Sequence, residues 1–192
     1  LAQEYLELYG ETDLADGEKD VGRAGVAIVN THFPFAQGYA LAVDLNENAK
    51  EVGEDGKKAS LDWHFGGNGV VRSLAEIRQS SYTVRSGKLS MRPICLDKGT
   101  DWRNWEIFTD LVQSFQLDKA WRGRRNKVKA LRGALRNGPA STKAFLENYR
   151  LESLPGVSGY ANLGMEGWQG NYCAYFDPLE AIDFFIPLEV EE

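Results

Sequence analysis

Near Asp97 the repeat of apolar residues along the chain lengthens, so the chain is expected to build strands and helices before that point and helices after it. Upstream, Ala24-Gly25-Val26-Ala27-Ile28-Val29 is a short apolar run rich in β-branched residues, and its length favours a buried strand over a helix. Leu61, Trp63 and Phe65 alternate with Ser60, Asp62 and His64, the two-residue repeat of a half-buried strand. Tyr82 to Val84 and Leu89 to Met91 flank Arg85-Ser86-Gly87-Lys88 as a hairpin, and Pro93 limits how far its second strand lies inside a sheet. Downstream, Trp105, Phe108, Val112 and Phe115 share one helical face. Val128, Leu131 and Leu135 share another, and Ser141 to Arg150 makes a third helix. The expected class is α+β, with residues 1–97 and a helical 98–192 as the two parts.

Helices are also expected upstream. Leu1 to Gly10 reads as one that is already under way when the chain opens, so the sequence looks like a fragment of a longer protein. Pro34 suits the first turn of a second helix running to about Lys50, with Phe35, Tyr39, Ala42, Val43 and Ala49 as its buried side. Ser73 to Arg78 is a short third. At the far end Asp177 is placed to cap the last helix, with Pro178 in its first turn and Glu180 completing a capping box. Apolar residues make up 43% of the 192 and charged residues 26%, which excludes a disordered chain. No apolar run approaches the ~20 residues of a membrane span. Two cysteines, Cys95 and Cys173, make no disulfide framework and point to a reducing cytoplasm.

The order strand, helix, charged Gly-Lys turn, strand resembles the second half of a palm domain of the GGDEF and nucleotide-cyclase superfamily. Within it the chain is most similar to the polymerase-like large subunit of type III CRISPR effector complexes and its relatives in antiviral defence. The resemblance rests on Ala24 to Val29 with Thr31-His32-Phe33-Pro34-Phe35, and on Asn48-Ala49-Lys50. It continues through Lys58-Ala59-Ser60-Leu61-Asp62-Trp63-His64-Phe65, Leu89-Ser90-Met91-Arg92-Pro93 and the closing Pro178 to Phe184. It covers Ala24 to Pro93 well and the helical remainder loosely. It implies a partial ferredoxin-like palm, an antiparallel sheet with helices, followed by a small helical domain. An antiparallel sheet holding both Ala24–Val29 and Leu61–Phe65 is the feature on which the palm reading stands.

For a complete protein the resemblance implies a nucleotidyltransferase that joins ATP, bound with Mg²⁺ or Mn²⁺, into cyclic oligonucleotides. Two-metal chemistry of that kind needs paired acids, one ion for the attacking oxygen and one for the leaving group. The family carries them on a Gly-Gly-Asp-Asp hairpin. This chain has no Asp-Asp pair, and its Gly66-Gly67 is followed by Asn68. The family order places the hairpin before Leu1. Catalysis would therefore need an N-terminal half of the palm as partner, and this chain alone is expected to supply no catalytic residue, metal ligand or bound cofactor. The alternative favoured by the absent acids is a noncatalytic palm serving as an RNA- or protein-binding scaffold.

Two groups of residues are candidate contacts. Lys57 and Lys58, with Lys50 as a weaker companion, fall on the turn that the resemblance places beside nucleotide phosphates, against the plainer reading of solvated surface lysines. The second group comes from charge alone. Nine Lys or Arg and no acid lie between Lys119 and Lys143, in a chain of net charge −6. Arg125, Lys129, Arg132 and Arg136 follow helical spacing, a stripe suited to a phosphate backbone of RNA or to a partner subunit. The competing reading is a solvated face beside acids such as Glu189, Glu191 and Glu192. His32 and His64 have no neighbour at metal-ligand spacing and read as hydrogen-bonded structural residues. Trp102, Trp105, Tyr149 and Trp168 read as core or domain-interface residues, and Gly66-Gly67-Asn68-Gly69 as a flexible turn.

Overall fold

A computed structural model of the chain describes residues 1–12, 20–53, 57–67, 72–97 and 101–186. In chain order it contains α1 (Ala2–Glu11), β1 (Arg23–Val29), α2 (Phe35–Ala49), β2 (Ser60–Gly66), α3 (Leu74–Tyr82), β3 (Thr83–Val84), β4 (Gly87–Lys88) and β5 (Ile94–Cys95). There follow α4 (Trp105–Leu117), α5 (Arg125–Arg136), α6 (Pro139–Tyr149), α7 (Ala161–Glu166), β6 (Trp168–Gln169), β7 (Tyr172–Cys173) and α8 (Phe176–Ala181). The class is α+β, with two small sheets, β1-β2-β5 and β3-β4-β7-β6, among the described residues. None of the described helices is long and apolar enough to cross a membrane. Residues 13–19 of the acidic loop, the tip of the Gly-Lys turn and the second half of the Gly66–Gly69 turn lie outside the described residues. The chain divides into two compact units: Leu1–Tyr82 with Arg92–Glu106, and Thr83–Met91 with Ile107–Glu192.

In the first unit β1 and β2 are adjacent and parallel, in register from Arg23↔Ser60 to Val29↔Gly66. Only β5 runs antiparallel, against the start of β2. The antiparallel sheet expected to hold both segments is therefore not what forms. Instead α2 carries the chain back across the sheet, so the second strand starts at the same edge as the first, which makes the pair parallel. Gly25 fixes how closely α2 approaches. A Cβ there would collide with the backbone of Ala42, Leu45 and Asn46. Arg23 seals the contact: its carbonyl accepts from Asn46 Nδ2 at 3.0 Å, and its guanidinium meets Glu47 at 3.2 Å.

That approach settles which face of α2 is buried, and of the residues expected on it only Ala49 is fully buried. Leu41, Leu45 and Ala49 are covered, while Phe35 (86% exposed), Tyr39 and Val43 face outward. Both stripes satisfy the helical repeat, and the glycine on the facing strand decides between them. The reading of β2 as half-buried also fails. Residues Ser60 to His64 are all buried, because β2 is the central strand, flanked by β1 and β5. Conversely, no residue of β1, at the sheet edge, is fully buried.

The second unit is built on aromatic contacts. Phe115 of α4 meets Trp121 edge-on at 5.0 Å between ring centres and Tyr175 at 6.1 Å, while Trp121 stacks on Phe145 of α6 at 6.3 Å. Leu131 and Leu135 of α5 are buried as expected, whereas Tyr149 packs its ring on buried Phe145 at 4.5 Å but stays 44% exposed at the rim of the core. The hairpin is tighter than expected, with β3 and β4 joined by Arg85-Ser86 alone. Gly87 adopts φ +131°, and a side chain there would collide with the backbone of Asn171, which lets β4 pair with β7. Asp177 does not cap α8. It lies fully buried in the first turn, and its Oδ2 accepts the Met91 N–H at 2.8 Å, tying the hairpin to that helix. Glu180 makes no capping box either, since it pairs with Arg132.

Candidate functional site

The exposed side of α5 borders a hollow of about 460 Å³ within the second unit. Its cationic wall is Arg124, Arg125, Lys129 and Arg132. Its apolar floor comes from Phe115, Trp121, Val128, Leu179 and Ile182, and Asp183 closes one side. The geometry follows from the sequence of α5. Leu131 and Leu135 turn inward, so the cations three and four residues apart are left on the outer face. Gln116 of α4 positions the acidic side by donating from Nε2 to the carbonyls of Ile182 and Phe185, both at 2.9 Å, which holds Asp183 beside α5.

The four stripe residues do not behave alike. Arg125 reaches Asp183 at 3.3 Å, with both side chains mostly exposed, a pair worth little in free energy. Arg132 is half-buried, meets Glu180 at 3.2 Å and lies over the Phe176 ring at 5.1 Å. Arg136 covers the same ring at 4.7 Å, outside the hollow. Lys129 is exposed on its wall. The acidic neighbour anticipated for this face thus exists, but it is Glu180 and Asp183. Glu189, Glu191 and Glu192 lie outside the described residues.

Two members of the basic segment are committed elsewhere. Lys143 pairs with Glu166 at 2.8 Å. Lys127 is buried, donates from Nζ to the Ala120 carbonyl at 2.9 Å, and lies 4.3 Å from the Trp121 ring centre and 5.7 Å from that of Tyr149. Burial, and then the nearby Arg124 charge, lower its pKa from the usual lysine value.

In the first unit, Lys50 caps the C-terminal end of α2 and is exposed. Lys57 and Lys58 follow in the turn before β2, where both backbone N–H groups donate to the Gly53 carbonyl, at 2.9 and 3.0 Å. All three therefore lie between the end of α2 and the start of β2. The described residues contain no group of three or more His, Cys, Asp or Glu placed to hold a metal ion, so they do not fit the paired ions of the implied ATP chemistry.

Sequence reasoning missed a buried polar cluster nearby. Asp62, fully buried, accepts from Asn48 at 2.7 Å, from Arg78 at 2.7 Å and from the Trp63 N–H at 2.8 Å. Arg92 lies over the rings of Trp63 and Tyr82 at 5.4 and 4.8 Å. His64 is buried against Tyr82, and its Nδ1 makes no hydrogen bond among the described residues, contrary to the expectation for it. Burial, with Arg92 and Arg78 alongside, pushes its pKa down to about 4. His32, by contrast, is an exposed turn residue whose backbone N–H donates to Asn30. The signal for the cluster was Asp and His inside an otherwise apolar strand, a pattern that fits a solvent face equally well. No protein-family model matches the chain, and no curated protein does.

Proposed function

We propose that this chain acts as a noncatalytic binding scaffold whose second unit holds an RNA strand through the basic hollow on α5. The observation that carries the reading is the hollow of about 460 Å³ with four cations on one wall. The net charge of −6 opposes general attraction of a polyanion, so a local basic face is needed to hold one. Phosphate contacts release counterions, and binding should therefore weaken steeply with salt. Arg125 and Lys129 are the residues to neutralise, because both are exposed and their loss leaves the core intact. Fluorescence anisotropy with a labelled 12-nucleotide RNA should show Arg125→Gln/Lys129→Gln binding at least ten times more weakly than the parent. Equal affinity, or displacement of the RNA by polyglutamate at equal charge concentration, would point to an acidic protein partner or to no site at all.

A second reading draws support from the three lysines at one edge of the sheet. In it the first unit is the nucleotide-binding portion of a type III CRISPR-like antiviral nucleotidyltransferase. The parallel pairing of β1 with β2 weighs against it. Calorimetry of ATP with Mn²⁺ on a protein that includes the N-terminal half of the palm, with and without Lys57→Ala/Lys58→Ala, separates the two. This second reading expects binding that weakens about tenfold, near 1.4 kcal/mol, in the variant. The scaffold reading expects no heat from either.

A further inference from the structure

We propose that the hollow on α5 is selective for a single strand over a duplex, and that Asp183 is a built-in competitor that sets its affinity. The proposal rests on the RNA-binding reading above and refines it. A hollow of about 460 Å³ falls in the range that encloses one small-molecule-sized group, such as a single nucleotide. The body of a duplex does not fit inside it. Its floor is apolar. Phe115, Trp121 and Leu179 are themselves covered, but the half-buried Val128 and Ile182 leave a small apolar surface that a splayed base can reach and paired bases cannot. Arg124, Arg125, Lys129 and Arg132 bound the phosphates that one strand can place there, about four at most.

Asp183 gives the wall its second property. It lines the hollow and already engages Arg125 at 3.3 Å, so an incoming phosphate must displace it or share the guanidinium with it. The carboxylate is held there by the bonds from Gln116 to the backbone on either side of it. An acid placed in this way keeps the groove closed to weak or isolated anions and yields to a polyanion that supplies several charges at once.

The test is anisotropy of a labelled 12-nucleotide RNA, the same strand annealed to its complement, and single-stranded DNA of the same sequence. Each is titrated with the whole chain at 50 to 300 mM KCl. The expected results are single-strand binding at least tenfold tighter than duplex, and a slope of log K against log salt near −3. That slope corresponds to about four phosphates at ~0.7 each on a single strand. Asp183→Asn, an exposed position whose change leaves the core untouched, should bind the single strand about three- to tenfold more tightly at low salt. Duplex bound as tightly as single strand, or a slope steeper than about −6, overturns the selectivity while leaving the RNA-binding reading standing. Unchanged affinity in Asp183→Asn overturns the competitor role. No binding of any of the three nucleic acids removes the reading beneath both.

Discussion

His64 and Asp62 show how far a single buried polar residue can depart from its sequence pattern. Each alternates with apolar neighbours as a solvent-facing residue would, yet both are buried on the central strand. Asp62 is tolerated because Asn48, Arg78 and the Trp63 N–H satisfy its oxygens. His64 is tolerated only when neutral, since its folded pKa is about 4 against an ordinary 6.5. A depressed base means that the unfolded chain binds more protons between those values, so stability is complete above about pH 6.5 and falls as pH drops toward 4. The full loss is about 3 kcal/mol, of which most should be visible by pH 4.5. Urea midpoints measured at pH 7 and pH 5 should differ clearly for the parent and much less for His64→Phe, and parallel shifts in both would remove His64 as the cause. The Lys127 ammonium carries the same lesson with the opposite ion. Its charge was legible in the sequence, but its burial depends on Trp121 and Tyr149 meeting it from other segments.

At the scale of elements, the period of each helix and strand could be read from the chain, but which side faced inward often could not. The stripes Phe35/Tyr39/Val43 and Leu41/Leu45/Ala49 on α2 have equal claims by spacing. The structure buries the other because α2 lies directly on Gly25, and a bulky aromatic has no room against a strand at that distance. Gly25→Val should therefore cost at least about 2 kcal/mol, since backbone rather than a flexible side chain stands in the way. Chemical denaturation of the variant checks this, and a loss below about 0.5 kcal/mol would show that α2 can retreat. On α5 the inward side was legible, because Leu131 and Leu135 lie opposite every cation of the helix except Lys127. What remained hidden was the company that the cations keep. Glu180 and Asp183 come from the far end of the chain, and their arrival beside Arg132 and Arg125 depends on how α8 and the residues after it pack.

At the scale of the whole molecule, the α+β class was legible. The strands β6 and β7, within the part expected to be helical, were not, since the Gly- and Tyr-rich stretch that holds them has no clear period. Membership of the two units was not legible either, because residues 83–91 leave the first unit and join the second before the chain returns. Local patterning carries no record of such an exchange; the bond from Met91 to Asp177 and the pairing of β4 with β7 create it. A fragment starting at residue 98 would lack β3 and β4, two of the four strands of its sheet. Its buried Asp177 would lose the Met91 N–H. Such a fragment should melt without a sharp transition by circular dichroism, and one starting at Thr83 should regain it; sharp, equal transitions in both would make the hairpin dispensable. The same exchange orders events on the ribosome. Lys88 is synthesised more than eighty residues before Tyr172, the partner that its strand requires. The hairpin must therefore wait for its partner strand until Tyr172 has emerged, and until then Leu89 and Met91 are apolar targets for chaperones acting during translation.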